Sequence, residues 1–224
     1  MSQQLPVVVF DVNETLSDLE PLSARFADLG VPETMARLWF TSVLRDGLAL
    51  AATGSAQPFA RIGAETLRSL LMPLSIDRDI DAAIDHVLGG FMALSVHPDV
   101  PAGVRALRAA GLRLLTLSNG AAAVAEALLG SAGLRSEFDQ VLSVEDAGVW
   151  KPAPDAYRYA GRRCDTAMAD MVLVAIHPWD IDGAARAGMA TAWLNRTGLP
   201  YPGHFTPPVH TIESLEDLAG VLAR

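Results

Sequence analysis

Two aspartates, one lysine and a pair of small polar residues each come soon after a short apolar run that is typical of a β-strand. They are Asp11, Ser118 with Asn119, Lys151 and Asp180. An aspartate at the end of a buried strand is unfavourable unless a cation or several N–H groups contact it. A lysine near two such aspartates keeps both ionised, and an ionised, desolvated carboxylate is a usable nucleophile. These residues therefore predict covalent catalysis by an aspartate, with Lys151 balancing the charge.

Each aspartate taken alone also has a purely structural explanation. Asp11 could cap a helix or a turn, and Asp180 could be the N-cap of the helix that follows it. These alternatives weaken when the four strand ends are considered together. In open parallel sheets, ligands bind at the carboxyl ends of the strands, beside the point where the strand order reverses.

The apolar runs themselves predict the sheet that must position these residues. Continuous runs rich in β-branched residues fit strands that are buried on both faces of a parallel sheet. Such runs occur at 7–10, 112–117, 141–144, 171–176 and 191–194, with a short edge strand at 209–212. Helical patterns lie between or after them, at 104–110, 122–129, 156–161, 183–187 and 215–222. This alternation predicts an α/β fold with a doubly wound, parallel, Rossmann-like sheet.

The segment from residue 17 to residue 97 breaks the alternation. It contains no convincing strand, and its apolar residues recur at helical spacing in four groups, at 22–29, 35–43, 59–71 and 80–91. Pro98 and Pro101 mark the return to the sheet. We therefore predict a core formed by 1–16 and 98–224, with a four-helix cap inserted at 17–97.

The charge and composition of the chain exclude several classes of protein. Its 17 basic and 26 acidic residues give a net charge of −9, which argues against binding to nucleic acid or to an anionic membrane. One cysteine, Cys164, excludes a disulfide within the chain and a zinc site with several cysteines. The first residues lack the pattern of a signal peptide, and no apolar run reaches the ~20 residues needed to span a bilayer. The expectation is a cytoplasmic protein.

The same strand-end residues resemble the motifs of the haloacid dehalogenase superfamily and, within it, those of the type II (L-2-haloacid) dehalogenases. The resemblance covers essentially the whole chain, the cap included. The matched residues are Asp11 and Thr15, Ser118-Asn119-Gly120, Lys151-Pro152 with Tyr157, and Trp179-Asp180 with Gly183-Ala184.

The resemblance implies a mechanism and a role for each catalytic residue. Asp11 attacks the halogen-bearing carbon of a 2-haloalkanoate, halide leaves, and an aspartyl ester forms. Water oriented or activated by Asp180 then hydrolyses the ester and releases a 2-hydroxy acid of inverted configuration. Lys151 compensates the negative charges, Thr15 hydrogen-bonds the nucleophile, and Tyr157 supports Lys151.

The resemblance also implies residues that bind the substrate. Ser118, with backbone N–H groups near Val12 and Asn119, is expected to hold the substrate carboxylate. Trp179 matches the dehalogenase pattern directly before Asp180 and is expected beside the substrate. The expected partner is a small 2-haloacid. Because many type II dehalogenases are dimers, the resemblance further suggests a homodimer.

Three residues argue against a metal-dependent phosphatase of the same superfamily. Phosphatases place a second aspartate two residues after the nucleophile, and here that residue is Asn13. They also use an acidic pair to bind Mg²⁺, but here the upstream acidic position is occupied by Ala175, and His177 follows. Mg²⁺ requires oxygen ligands. We therefore predict a metal-independent enzyme with no cofactor.

One feature of the halide site departs from the family pattern. The family usually has an arginine early in the second cap helix, whereas the matching residue here is Phe40. Arg45 follows more than one turn later and need not face the mouth of the site, but it is kept as a candidate for binding the substrate. Halide binding is then left to Asn119, to the ring edges of Phe40 or Trp39, or to His177. His177 is alternatively a hydrogen-bond donor near Asp180, or a strand-end histidine that bonds only to backbone.

Two other functions remain open from the sequence. One is a phosphohydrolase of the same superfamily, opposed by Asn13 and the incomplete acidic pair. The other is a non-catalytic binding protein that retains the fold, favoured by the missing arginine and opposed by intact Asp11, Lys151 and Asp180.

Overall fold

The computed structural model describes residues 5–222, and six strands of this part of the chain form one sheet. The strands are β1 (Val7–Phe10), β2 (Arg113–Ser118), β3 (Gln140–Ser143), β4 (Met171–Ala175), β5 (Ala190–Leu194) and β6 (His210–Ile212). All neighbouring strands are parallel, and their order is β3-β2-β1-β4-β5-β6. The predicted doubly wound α/β fold is confirmed.

Strand β1 lies at the centre of the sheet, where the strand order reverses. Val8 is opposite Leu114 of β2 on one side and Val172 of β4 on the other. Residues of β1 alternate between two hydrophobic cores, with Val7 and Val9 in one and Val8 and Phe10 in the other. Both faces are therefore covered, which explains why the strand is a continuous apolar run. Asp11, the next residue, lies at the switch point where ligands bind in such sheets.

The helices fall into a group before β2 and a group alternating with the strands. They are α1 (Leu22–Ala27), α2 (Met35–Ala52), α3 (Phe59–Leu71), α4 (Ile80–Met92), α5 (Val100–Ala109), α6 (Ala122–Ser131), α7 (Val144–Ala147), α8 (Pro154–Cys164), α9 (Pro178–Arg186) and α10 (Leu218–Leu222). Within the described residues, none of these helices is long and apolar enough to cross a membrane.

Helices α1 to α4 pack on one another and lie inside the range predicted for the cap. The centre of this unit is Trp39, which has no solvent exposure. Its indole N–H donates to the carbonyl of Gly63 on α3 at 3.0 Å, and its ring lies beside Phe26 and Phe91. The four helices thus share one apolar centre. The borders at residues 17 and 97 stay a prediction.

Trp150 connects the cap with the core directly before Lys151. Its indole N–H donates to the carbonyl of Gln57, in the loop between α2 and α3, at 3.0 Å. Its ring stacks on Phe59, with 6.0 Å between ring centroids. A Cβ atom on Gly47 of α2 would lie 2.2 Å from the Trp150 ring, so only glycine allows this close approach. The cap therefore packs against the residue that precedes the predicted catalytic lysine.

The predicted strands agree with the observed ones to within one or two residues, whereas two helices begin four or five residues earlier than predicted. Helix α5 begins at Val100 rather than at residue 104. Helix α9 begins at Pro178 rather than at residue 183. Proline is favoured in the first turn of a helix because its missing N–H has no partner there in any case. As a result, Asp180 lies in the first turn, and His177 rather than Asp180 is the N-cap residue.

Candidate active site

The nucleophile predicted from the sequence lies directly beyond β1. The backbone N–H of Asp11 donates to Val174 of β4 at 3.0 Å, which extends the strand pairing by one residue. The chain then turns, and the Thr15 hydroxyl donates to Asp11 Oδ2 at 2.7 Å. The N–H of Ile176 donates to Thr15 Oγ1 at 3.1 Å and so directs the hydroxyl proton towards Asp11. Asp11 is buried and held in a fixed orientation.

Lys151 bridges the two aspartates. Its Nζ donates to Asp11 Oδ1 at 2.9 Å and to Asp180 Oδ2 at 2.6 Å, and its side chain has no solvent exposure. The side chain of Asn119 holds the main chain of this residue. Asn119 Oδ1 accepts from the Lys151 N–H at 2.9 Å, and Asn119 Nδ2 donates to the Lys151 carbonyl at 3.3 Å.

Tyr157 hydrogen-bonds to Asp180, the carboxylate that also accepts from Lys151, so its predicted support of Lys151 would act through Asp180. The Tyr157 hydroxyl donates to Asp180 Oδ1 at 2.6 Å, and both residues are fully buried. A Cβ atom on Gly183 would lie 2.5 Å from this hydroxyl oxygen, so the glycine leaves the space that the tyrosine fills. With Lys151 on its other oxygen, Asp180 is hydrogen-bonded through both oxygens, as a buried carboxylate requires.

His177 lies between the side chains of Asp11 and Glu14, so the predicted alternative of a histidine that bonds only to backbone is wrong. Its Nδ1 is 3.2 Å from Asp11 Oδ2, and its Nε2 is 2.8 Å from Glu14 Oε2. His177 follows β4, the neighbour of β1, and helix α9 begins directly after it, so His177 lies beside the end of β1. The ring is flanked by Phe40 of the cap and by Trp179, with 6.4 Å and 5.1 Å between ring centroids.

The pKa shifts of the cluster follow from burial and these contacts. Burial alone would raise the pKa of Asp11, but Lys151, His177 and Thr15 hold it well below its ordinary value. Burial also opposes the charge on Lys151, but Asp11 and Asp180 outweigh it and raise the pKa of the ammonium. The two carboxylates share one lysine. Burial, aided by the negative charge of Asp11, raises the pKa of Asp180 despite that lysine.

Burial by itself would lower the pKa of His177, but its hydrogen bonds to Asp11 and Glu14 raise it to about 9. The cluster therefore pairs a low-pKa carboxylate with a raised-pKa carboxylate. Such a separation suits the first as nucleophile and the second as general base.

Ser118 and Val12 lie at the same edge of the sheet as Asp11. Ser118 ends β2, is buried, and accepts from the N–H of Gly120 through Oγ at 2.9 Å. The carbonyl of Val12 accepts from the N–H groups of Leu16 and Ser17 and so shapes the turn after Asp11. Their role in substrate binding stays a prediction.

A cavity lies beside the residues that surround His177. A cavity of about 450 Å³ is lined by Glu14, Arg37, Phe40, His97 and Ile176, among other residues. Glu14 and Phe40 both contact His177, so the cavity lies next to two residues that surround this ring. A larger groove of about 700 Å³ lies between α2 and α3, and none of the residues around Asp11 lines it.

Two residues that the sequence assigned to the substrate lie elsewhere. Trp39 is enclosed in the centre of the cap, where its N–H is already bonded to the carbonyl of Gly63. Successive residues of a helix point about 100° apart. Its neighbour Phe40 therefore points towards the sheet and contacts His177, whereas Trp39 points into the centre of the cap. Arg45 is bound to Asp46 at 2.8 Å, and 70% of its side chain is exposed. It lines the groove between α2 and α3, so its predicted place at the substrate is wrong.

Glu14 was missed in the sequence, although it contacts the site through His177. Its backbone has φ of 61°, a left-handed conformation that is uncommon outside glycine. Nothing in its spacing signals a partner 163 residues away. A glutamate three residues after the nucleophile, with a histidine after β4, is the combination that could have indicated it.

The donor set at the site does not suit a hard metal ion. The residue at the end of β4 is Ala175, and the next side chain that reaches Asp11 is the imidazole of His177. Mg²⁺ requires oxygen ligands in an octahedral arrangement. Among residues 5–222, no group of three or more His, Cys, Asp or Glu side chains is arranged to hold a metal ion.

Proteins with related sequences and structures have this fold. A family model described as haloacid dehalogenase-like hydrolase matches residues 5–188. (S)-2-haloacid dehalogenase 1 of Pseudomonas sp. (strain CBS-3) is 30% identical over 96% of each chain. Haloacetate dehalogenase H-2 of Moraxella sp. (strain B) is 25% identical over 99% of each chain.

Among solved structures, L-2-haloacid dehalogenase from Xanthobacter autotrophicus with chloropropionic acid covalently bound is similar to this chain with a TM-score of 0.87 and 25% identity. The similarity covers 98% of this chain and 99% of that one. The chain therefore belongs to the haloacid dehalogenase-like hydrolases, in the group that contains the (S)-2-haloacid dehalogenases.

Proposed function

We propose that this protein hydrolyses the carbon–halogen bond of short 2-haloalkanoates through an ester on Asp11, without a metal ion. The observation that carries the proposal is the buried Asp11–Lys151–Asp180 cluster at the switch point of the sheet. Relatives named for haloacetate and (S)-2-haloacids support this class of substrate, as does the covalently bound chloropropionic acid in the structure from Xanthobacter autotrophicus.

The first step is a displacement at carbon 2 of the substrate. A carboxylate oxygen of Asp11 forms a bond to that carbon while the carbon–halogen bond breaks, and halide leaves with the electron pair. Lys151 and His177 keep Asp11 ionised, which the nucleophile requires. Halide is stable as an anion, so the step needs no general acid. The substrate carboxylate is placed against Ser118 and the backbone N–H groups near Val12 and Asn119.

The second step hydrolyses the ester. A water molecule attacks Cγ of Asp11 while Asp180, whose pKa is raised, takes one of its protons. The bond between Cγ and the alkylated oxygen then breaks, and Asp180 returns the proton to the leaving alkoxide. A 2-hydroxy acid is released, and Asp11 regains its charge by giving its remaining proton to solvent. The product hydroxyl oxygen therefore comes from Asp11 in each turnover.

The two alternative functions fit the site less well. Asn13 cannot donate a proton to the leaving group of a phosphate ester near neutral pH, and Ala175 and His177 cannot complete an oxygen site for Mg²⁺. A non-catalytic protein would have little reason to retain a fully buried lysine between two aspartates, because buried charges are costly. Dimer formation and a cytoplasmic location are retained as proposals by analogy with the family.

The halide site is proposed on the side of Phe40. This side chain is 4% exposed, stacks on His177, and lines the 450 Å³ cavity. The amide of Asn119 uses one of its two protons on Lys151, which leaves the second for halide. An apolar ring in this position makes the pocket less polar than an arginine would.

Halide release tests the proposal directly. The protein is incubated with chloroacetate, fluoroacetate and (S)-2-chloropropionate in the presence of EDTA, and a phosphate-ester panel with Mg²⁺ is run in parallel. We expect halide release in EDTA from at least one of the acids. No halide from any acid would contradict the proposal, and phosphate release that depends on Mg²⁺ would favour the phosphohydrolase.

A further inference from the structure

The hydrogen bonds of His177 require a doubly protonated ring. A neutral imidazole has one N–H donor, and ionised carboxylates only accept hydrogen bonds. Both ring nitrogens face carboxylate oxygens at bonding distance, 3.2 Å to Asp11 and 2.8 Å to Glu14. With both carboxylates ionised, both nitrogens must carry a proton. His177 is therefore an imidazolium that donates one hydrogen bond to the nucleophile.

The two oxygens of Asp11 are not equivalent. Oδ2 accepts from Thr15 at 2.7 Å and from His177 at 3.2 Å, which occupies its two lone-pair directions. Within residues 5–222, Oδ1 accepts from Lys151 only, at 2.9 Å. One lone pair of Oδ1 is thus left to form a bond with carbon.

We propose that Oδ1 of Asp11 is the attacking atom, and that His177 and Thr15 form the oxyanion hole in which Oδ2 takes up charge during ester hydrolysis. The inference rests on the proposed function. When Oδ1 is alkylated, Oδ2 becomes the carbonyl oxygen of the ester and already has two donors. When water attacks Cγ, the π electrons of that carbonyl move to Oδ2, and the water proton passes to Asp180.

The placement of the donors suits this role. Donors that are aimed at developing charge before the reaction starts need no reorganisation at the moment of reaction. Thr15 is fixed by the N–H of Ile176, and His177 is fixed by Glu14 and by the flanking rings of Phe40 and Trp179. Hydrolysis of the ester breaks the bond from Cγ to Oδ1, and no bond to Oδ2 breaks in either step.

Glu14 is the positioning residue for His177. Its carboxylate orients the ring and maintains the charge on it, although Glu14 itself does not contact Asp11. The Glu14 carbonyl accepts a hydrogen bond from His97 at 3.0 Å, which stabilises the left-handed backbone at Glu14. Arg196 also donates to that carbonyl, at 3.5 Å, and to Thr15 at 3.0 Å.

A competing role for His177 is direct contact with the leaving halide. The two roles differ in which step they accelerate. 2-Chloropropionate and 2-bromopropionate give the same ester on Asp11, so an oxyanion-hole defect slows both substrates to the same hydrolysis rate. A halide-binding defect instead slows ester formation, and by a different factor for each halogen.

Rapid-quench kinetics with intact-protein mass spectrometry distinguish the two roles in His177→Ala and His177→Asn. We expect a burst of one halide per chain, accumulation of the ester, and hydrolysis slowed by about 10²–10³-fold in the alanine variant. Asparagine keeps one neutral donor, so its defect should be smaller. The burst itself shows that each variant is folded.

The matched control is His86→Ala, which removes a histidine bonded to a carboxylate elsewhere, Asp28 at 3.0 Å on the cap. We expect wild-type kinetics from it. The inference would be overturned if the His177 variants formed the ester slowly and did not accumulate it. It would also be overturned if the rate of the slow phase depended on the halogen. Absence of halide release from the wild type would instead overturn the proposed function, and the inference with it.

The role of Glu14 is tested by Glu14→Gln and the pH profile of ester hydrolysis. The charged groups in contact with His177 are Asp11 and Glu14, with Lys151 bonded to Asp11. Arg196 and the titratable His97 bond to the backbone of Glu14, and Arg37 of α2 lines the same cavity as Glu14 and Phe40. We expect the rate of ester hydrolysis to fall at alkaline pH, where His177 loses its charge. Removing the Glu14 charge should move this fall to lower pH. An unmoved profile would mean that Glu14 does not maintain the charge on His177, and would overturn its role.

Discussion

The two sides of Asp11 are built differently. Beside Oδ1, Lys151 and Asp180 form an ion pair with no solvent exposure. Beside Oδ2, His177 is 12% exposed and Glu14 is 38% exposed, and the cap covers them with Phe40. The enclosed side holds the charges that make a carboxylate a nucleophile. The more open side borders the cavity and includes Phe40, the residue that we predict to stand where the family usually has an arginine.

The largest effect is expected from Asp11→Asn, which replaces the carboxylate shared by both sides with a neutral amide. Turnover should be lost completely, because an amide cannot form the ester, while Lys151 keeps its partner Asp180 and the fold is retained. Halide release and circular dichroism provide the measurements. Asp81→Asn, on an exposed aspartate of the cap, is the control. Activity in a folded Asp11→Asn protein would refute covalent catalysis.

Lys151→Arg tests the enclosed side alone. The ammonium donates to two carboxylates in a space with no exposure, and a planar guanidinium cannot adopt the same position. Displacement of the nucleophile should reduce kcat by on the order of a hundredfold or more. Steady-state halide release measures the effect. Wild-type rates would mean that Lys151 does not organise the charges as the structure indicates.

The pH profile tests the open side. The pKa of His177 is raised from 6.5 to about 9, so its charge and the stabilisation it provides persist at neutral pH and are lost as the pH rises through about 9. Lys151 stays charged there, because its pKa is raised as well. We expect kcat to fall on the alkaline side near pH 9. A profile that stays flat to pH 10 would contradict a catalytic imidazolium.

The smallest effect is expected from Arg45→Gln. This arginine belongs to the helix that carries Phe40, but it is exposed and bound to Asp46. We expect unchanged kcat/KM for halide release. Phe40→Ala provides the contrast, since it removes a ring that stacks on His177 and should lower the rate. A clear loss of kcat/KM in the Arg45 variant would mean that the groove between α2 and α3 affects the active site.

The enclosed side could be predicted from the sequence, whereas the open side could not. Continuous apolar runs predicted the strands, and parallel strands bring their carboxyl ends together, so Asp11, Lys151 and Asp180 were expected to lie close to one another. The contact between His177 and Glu14 depends on a left-handed backbone at Glu14 and on the early start of α9 at Pro178. Local patterns predict neither of these features.

The residues of the cap show a second limit. Trp39 and Phe40 are adjacent aromatic residues, and helical spacing alone could not decide which of them faces the core. The packing of four helices decides it, through the bond from Trp39 to Gly63 and the contact of Phe40 with His177. The link from Trp150 to the cap loop was likewise not evident in the sequence, because Gly47 gives no local signal of the ring that packs on it.

The most direct test of the central claim is a single turnover in H₂¹⁸O with enzyme in excess over a 2-haloacid that the protein turns over. If the ester forms on Asp11 and water attacks its carbonyl, ¹⁸O should appear in the peptide that contains Asp11, and the first product should carry none. If instead the hydroxyl of the first product carries ¹⁸O and Asp11 remains unlabelled, water attacks the substrate directly and the covalent mechanism is wrong.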